Sequence, residues 1–419
     1  MEDILLKKFF EKERWEYAIQ TAFEKEINQQ LLREMSTPEN RVMLYHQLRD
    51  NQYQIAPPHE ALIPKDNGEY RTVYVNENKD RIILSIINDM FFELCPELIH
   101  PHCTSYQKGI GCGKVVQKAS SVIQHMKHNE IGVKVDLSKY FDSVPIRYID
   151  EVFDYLENKF GKSKIIDVIK EYYHSNTIID INKNIIQKYS SLRQGCAVAA
   201  FLADSVLYDI DEEISKLNVF YVRYSDDILI LGNEWEKGYE ILKAKLQEKE
   251  LMLNPKKVEY LDKNRWFKFL GFTLKGNQIS LSKSRTKTFQ KEIEKRTVKN
   301  KSKNQKQILN AVNRYLYHGQ QGYSWATGIL PIINVEKDLQ TLNGFVMDAI
   351  RAGVTKKTKI GGLGIVTDKP DHTILRGKGR NVKANREKIP RIEGYMTISC
   401  MRNALLTSRE AYNTLVITM

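Results

Sequence analysis

The chain has 419 residues, with 64 Lys and Arg against 52 Asp and Glu, a net charge of +12. That length supports two or three packed subdomains around a sizeable core. No apolar run approaches the roughly 18 residues a membrane span needs, and the charged opening MEDILLKKFFEKERWEY lacks the apolar core of a signal peptide, so the expectation is a cytoplasmic protein with no membrane partner.

The basic balance favours a polyanionic partner, and its distribution says more than its sum. Residues 295–306, KRTVKNKSKNQK, hold six basic residues and no acidic one. Residues 355–391 hold eleven basic residues against three acidic. Either stretch is a solvated face or an electrostatic footprint for a nucleic-acid backbone. The five cysteines (Cys95, Cys103, Cys112, Cys196 and Cys400) form no CxxC pair, so the expectation is reduced, mostly buried thiols without zinc or disulfides.

Residues 3–35 read as helical, with Ile4, Leu5, Phe9, Phe10 and Trp15 on an apolar stripe. Pro57-Pro58 is expected to end the next helical stretch. EALIPKDNGEYRTVYV reads as two strands joined at Asp66-Asn67-Gly68. Residues 79–94 read as a buried helix. YQKGIGCGKVVQKA (106–119) is Gly-rich and opens a helix. It fails as a phosphate-binding loop, because Lys108 stands where a glycine belongs and Val115 where Ser or Thr belongs; the reading left is a turn that lets a backbone come close to a neighbour. Next come a strand over 131–137, helix over 145–175, a hairpin over 176–190, an apolar helix over 197–216 and a strand pair over 219–231. Then come a helix over 236–250, two strands over 266–281, a helical and basic stretch from 283, and a Gly-rich basic tail from 353 closing with a helix near 399–416.

Two segments carry chemistry. In YVRYSDDILILG (221–232), apolar strand residues flank Tyr224-Ser225-Asp226-Asp227. Adjacent carboxylates at a hairpin tip repel one another, and a bound divalent cation resolves the repulsion; an ordinary acidic turn is the plainer reading of a bare Asp-Asp. In VKVDLSKYFDSV (133–144), Asp136 ends a strand, with Tyr140-Phe141 just beyond it. Two-metal phosphoryl transfer needs carboxylates from separate strands converging on ions roughly 4 Å apart. Asp136 and Asp226 meet that need if their strands are neighbours.

The order and spacing of these segments resemble the palm of reverse transcriptases. Asp136 and Phe141 match a D-x4-[FY] motif, Arg193-Gln194-Gly195 resembles the family's PQG motif, and Tyr224 to Asp227 is a Y-x-D-D box. Leu253-Asn254-Pro255-Lys256-Lys257 resembles the family's next motif, with its lysine, and Phe269-Leu270-Gly271-Phe272 the primer-grip hairpin. Lys65, Arg71 and Asp80-Arg81 resemble the fingers of the bacterial, group II intron- and retron-like branch, and Tyr106-Gln107-Lys108-Gly109 stands at that branch's S-Y-x-x-x-x-G segment.

The resemblance implies an α+β right-hand polymerase fold: fingers, an antiparallel-sheet palm, a helical thumb and a basic C-terminal extension. It divides the chain into an N-terminal helical segment (1–56), interleaved fingers and palm (57–282), thumb (283–352) and extension (353–419). It implies two Mg2+ ions, with Mn2+ as a substitute, on Asp136, Asp226, Asp227 and the carbonyl of Leu137. dNTP contacts fall to Lys65, Arg71, Arg81, Phe141, Gln194 and Lys257, and template or primer contacts to Gly195, Tyr224, Leu270, Gly271 and Phe272. Phe141 would stack under the sugar and exclude a 2′-hydroxyl, and Lys257 would act as a general acid toward pyrophosphate or stand as a solvated lysine.

The chain departs from the pattern at Arg193, which replaces a proline, and in CAVAAFLADSVLY, which lacks the usual Ser-Pro. The V-T-G triplet of retron enzymes is missing too. In its place the chain continues with INVEKDLQTLNGFVMDAIRAG and the basic tail. This continuation resembles the stand-alone reverse transcriptases of antiphage defence, in particular their type 2 group, which copy a structured noncoding RNA into cDNA. The alternatives are a retron- or intron-type enzyme of another role, an RNA polymerase on the same palm, and a non-catalytic RNA-binding scaffold. Tyr323 and Trp325 are read as stacking on nucleic acid or, for Trp325, as buried in the thumb core.

Overall fold

The computed structural model describes residues 2–22, 27–65, 68–107, 109–189, 191–299, 304–317 and 324–355. The expected closing helix near 399–416, most of the basic tail, Cys400 and Tyr323 lie outside these residues. Two compact units share the chain: Met1–Ile110 with Gly132–Tyr260, and Gly111–Ile131 with the described residues from Leu261 on.

The first unit opens with three helices where one helical run over 3–35 is expected: α1 (Ile4–Phe9), α2 (Lys12–Thr21) and α3 (Gln29–Met35). Asp3 caps α1 and Asn28 caps α3, each accepting a backbone N–H from the first turn of its own helix. Between α1 and α2 the chain turns so that the Trp15 indole donates to the Phe9 carbonyl at 2.9 Å. Leu5, Phe9 and Trp15 are buried, whereas Ile4 is exposed. Helix α4 (Pro38–Arg49) ends well before Pro57-Pro58, and the chain turns away just past it at Asn51, whose φ is +55°. An extended run then leads into the hairpin β1 (His59–Pro64) and β2 (Tyr70–Val75), paired Pro64↔Tyr70; Asp66 and Asn67 of its turn lie outside the described residues. Helix α5 (Asn78–Leu94) is buried along most of its length.

Helix α6 (Cys112–Gln124) belongs to the second unit. Its Gly113 answers the Gly-rich turn: a Cβ there would fall 1.9 Å from the Ile332 side chain, so the glycine serves close packing.

The first unit resumes with β3 (Glu130–Asp136), α7 (Tyr140–Ser143), α8 (Ile146–Phe160) and α9 (Lys164–His174). The helix expected over 145–175 is broken at Gly161, φ +81°, and α9 restarts on the Ser163 cap. The hairpin β4 (Thr177–Ile179) and β5 (Ile185–Gln187) joins the first sheet, in the order β2-β1-β4-β5. The apolar stretch 197–216 forms two helices, α10 (Ala199–Ser205) and α11 (Tyr208–Ser215). Strands β6 (Phe220–Tyr224) and β7 (Asp227–Leu231), helix α12 (Trp235–Glu248) and strand β8 (Glu259–Asp262) complete a second sheet, β6-β7-β3-β8, whose first three strands run antiparallel. Val133, Val135, Tyr221, Ile228 and Ile230 of this sheet join one continuous core with the helices.

In the second unit, residues 266–281 form three strands rather than two: β9 (Phe267–Phe269), β10 (Phe272–Lys275) and β11 (Gln278–Leu281). Helix α6 packs on β10 and β11. From 283 the chain is helical as expected, with α13 (Lys283–Arg296), α14 (Gln305–Tyr317) and α15 (Glu336–Thr355). Trp325 is buried against Phe289, ring centroids 4.6 Å apart, which favours core over stacking for that ring. No described helix is long and apolar enough to cross a membrane.

Candidate active site

Tyr224 pairs with Asp227 across β6 and β7, leaving Ser225-Asp226 as a two-residue turn. Strand β3 lies antiparallel on the other side of β7 in a register that sets Asp136 opposite Asp227. Just past the strand, the Leu137 N–H donates to the Asp226 carbonyl at 3.1 Å. Acidic residues some 90 positions apart in sequence thus share one end of one sheet. Alternation puts Asp136, Asp227 and Tyr224 on the face away from Val133 and Val135.

The segment after α12 closes this end. Leu137 bridges Leu253, the Asn254 N–H donates to the Asp136 carbonyl at 2.8 Å, and the Ser138 N–H to the Met252 carbonyl at 2.7 Å. A short 3-10 turn, Pro255–Lys257, then delivers the Lys257 ammonium to 2.6 Å from Asp136 Oδ2. Asp136 is almost fully buried, while Lys257 is more than half exposed. Burial, and then the charges of Asp136 and Asp227, push the Asp226 carboxyl up to about 6, with Lys257 opposing.

The donor chemistry fits a hard divalent cation: oxygen donors, with carboxylates close enough for their charges to act on one another and Lys257 beside Asp136. Among the described residues no three His, Cys, Asp or Glu side chains already stand gathered in a metal-binding group. The backbone register brings Asp136, Asp226 and Asp227 to one end of the sheet.

The other expected residues divide by unit. Phe141 lies on α7, half-buried against the core, its ring edge-on to Tyr140 at 5.7 Å. Lys65 and Arg71 flank the β1–β2 turn; Lys65 faces Glu69 at 3.6 Å, and Arg71 is exposed opposite Ile63. Arg81 lies in the first turn of α5, where Asp80 is buried and accepts from Tyr53 Oη and the Ala56 N–H. The Gln194 carbonyl accepts from the Tyr74 N–H at 2.7 Å, strapping the Gln194-Gly195 loop to β2. Gly195 has φ +108°, and a Cβ there would stand 2.7 Å from the Tyr74 carbonyl oxygen. Arg193, which replaces the motif's proline, has φ +58°, a value a pyrrolidine ring forbids. Its guanidinium lies 4.3 Å over the Tyr172 ring and donates to the Ser175 carbonyl. Leu270, Gly271 and Phe272 belong to the second unit, as the β9–β10 turn; Leu270 is a bulky residue at φ +46°.

One group went unread in the sequence. Arg223 on β6 is fully buried and grips Asp211 through two nitrogens, Nε to Oδ1 at 2.8 Å and Nη2 to Oδ2 at 2.6 Å. Tyr221 Oη donates to the same carboxylate at 2.6 Å. Arg223 Nη2 also donates to the Asp204 carbonyl, and Ser105 Oγ donates to Asp204 Oδ1 at 2.6 Å. Burial pushes the Asp204 carboxyl up to about 6, against the pull of Arg223. A signal was available: a lone arginine in an apolar strand and a lone aspartate in an apolar helix must find each other or an equivalent partner.

The α+β fold carries acidic residues at adjacent ends of an antiparallel sheet, with a helical stretch after it. The model of the reverse transcriptase (RNA-dependent DNA polymerase) family matches residues 63–274, half of the chain, and the chain belongs to that family. It is similar to the Retron Ec73 reverse transcriptase of Escherichia coli, 26% identical over 185 aligned residues, a match that covers 42% of this chain and 54% of that protein. The chain thus spans about half the length of that relative. Among solved structures it matches apo telomerase from Candida tropicalis truncated from the C-terminal domain, with a TM-score of 0.42 and 12% identity over 57% of this chain and 60% of that one. It also matches telomerase from Candida albicans in complex with a TWJ fragment of telomeric RNA, with a TM-score of 0.42 and 12% identity over 77% and 65%.

Proposed function

We propose that the protein is an RNA-templated DNA polymerase of the retron-like bacterial type, working by two-metal nucleotidyl transfer. The observation that carries this is the register setting Asp136 against Asp227, with Asp226 in the turn between β6 and β7. In this reading Asp136 and Asp226 are the principal ligands of two Mg2+ ions, or Mn2+ in their place; the Leu137 carbonyl assists and Asp227 tunes the local charge. The ions supply Lewis-acid activation of the primer 3′-hydroxyl and neutralise the triphosphate. Lys65, Arg71 and Arg81 hold the phosphates, for which guanidinium forks are suited. Phe141 bears on the sugar and selects dNTPs, while Gln194 and Gly195 pack near the nascent pair. Tyr224 and the Leu270-Gly271-Phe272 turn meet template and primer. Lys257, paired with Asp136, must give up that carboxylate before it can serve as a proton donor to pyrophosphate.

The chain reads as a helical segment (1–56), fingers and palm (57–282), thumb (283–352) and basic extension (353–419). We further propose a structured noncoding RNA as template, a cDNA product and a role in antiphage defence. The basic stretches and the departures from the retron pattern support this. Purified protein given a primed RNA, Mg2+ and dNTPs is expected to make cDNA, and Asp226→Ala to make none. Undiminished synthesis by Asp226→Ala sinks the mechanism. For the defence role, the wild type is expected to protect cells from phage and Asp226→Ala not to; equal protection by both sinks that part.

A further inference from the structure

The turn that carries the carboxylates is not self-supporting. Ser225 has φ +57°, an uncommon conformation for a residue with a Cβ, and such conformations persist where surroundings over-determine them. Its N–H points inward and donates to Ser105 Oγ at 3.0 Å. Ser105 is wholly buried, and its one proton goes to Asp204 Oδ1 at 2.6 Å, which leaves a lone pair facing Ser225. Asp204 is buried too, with Arg223 Nη1 at 3.5 Å and Nη2 on its backbone carbonyl.

Ser105 reaches this place along β6. The Arg223 N–H donates to the His102 carbonyl at 2.9 Å, and the Thr104 N–H to the Arg223 carbonyl at 2.8 Å, with Cys103 bridged in parallel to Arg223. A single parallel bridge at Cys103 thus fixes this segment along β6 and brings Ser105 against the Ser225 backbone. From the strand side the turn is tied by the Leu137 N–H donating to the Asp226 carbonyl and by the pairing of Tyr224 with Asp227.

We propose that Ser105, oriented by Asp204, is the positioning residue that holds the Ser225 turn in the conformation from which Asp226 and Asp227 bind divalent metal. The inference deepens the polymerase reading and rests on it for the identity of the ligands. Ser105→Ala leaves the Ser225 N–H buried without its acceptor and frees the turn to leave positive φ. Ser225→Gly removes the conformational penalty at that φ, so it restores what Ser105→Ala loses.

The test is Mn2+ binding to purified full-length protein without nucleic acid, read by electron paramagnetic resonance of free Mn2+, alongside thermal unfolding and primer extension. Ser105→Ala is expected to weaken Mn2+ binding roughly tenfold, the equilibrium worth of one lost hydrogen bond, with the unfolding temperature lowered by only a few degrees. Ser105→Ala/Ser225→Gly is expected to recover most of the affinity. Wild-type Mn2+ affinity in Ser105→Ala overturns the proposal. So does a loss that tracks unfolding and is not recovered by Ser225→Gly, or a wild type that binds no Mn2+. If the affinity shift and its recovery occur but the wild type extends no primer, the polymerase reading falls and the positioning role stands.

Discussion

Gly195 joins two constraints at one atom: a positive φ and a Tyr74 carbonyl that leaves no room for a Cβ. Gly195→Ala is expected to cost about 1–3 kcal/mol of stability and to raise the KM for dNTPs more than it lowers kcat, since the strap to β2 shifts with the loop. Urea unfolding and steady-state extension check both. The thiols give a second prediction. Burial pushes Cys103 up to about 12 and Cys95 up to about 11, so at pH 8 both remain protonated and unreactive, the thiolate being the nucleophile. Alkylation of native protein at pH 8, with peptide mass spectrometry as the readout, is expected to mark the half-buried Cys112 well before Cys95, Cys103 or Cys196. Fast modification of Cys103 contradicts the buried network. At this scale the sequence was legible where chemistry repeats a spacing: Asp136, Asp226 and Asp227 announced themselves as acids at strand ends. Ser105 did not, because the S-Y-x-x-x-x-G spacing in which it stands says nothing of a hydroxyl that meets a backbone N–H about 120 residues away.

Elements were legible by type and less so by extent. Apolar periodicity found α5, β3, the β6–β7 hairpin and α12, since each buries one coherent face. It ran α1 to α3, α8 with α9, and α10 with α11 together, because periodicity continues across a break when both pieces face the same core. The breaks are made locally, by the caps Asn28 and Ser163 and the positive φ of Gly161. The tie between β6, α10 and α11 is the least legible and the most exposed to mutation. Arg223→Met is expected to lower unfolding free energy by about 3–5 kcal/mol, because it strands Asp211 and Asp204 in the core without a counter-charge. Chemical denaturation measures it. A loss under about 1 kcal/mol means water reaches these carboxylates.

For the whole molecule, the two units are threaded through each other in sequence, and no single cut separates them. The helix α6 is made early, yet its buried Val115, Val116, Ala119 and Ile123 belong with strands that come after residue 271. A fragment ending at residue 260 is therefore expected to aggregate, as light scattering reports; a monodisperse fragment refutes the assignment of α6. The net charge of +12 makes a second global prediction. RNA affinity should fall steeply with salt, with a log–log slope of about −0.7 per phosphate neutralised on a single strand. A flat salt response in filter binding argues against a backbone-reading surface.

The pairing of Asp136 with Asp227 also sets a clock. When the ribosome has finished β3, about 90 residues remain to be made before β7 can close on it. At about 5–20 residues per second, that is roughly 5–20 s in which Ile131, Val133 and Val135 have no strand beside them. A nascent chain caught in that interval carries an open apolar edge, and slower synthesis lengthens the time that edge stays exposed.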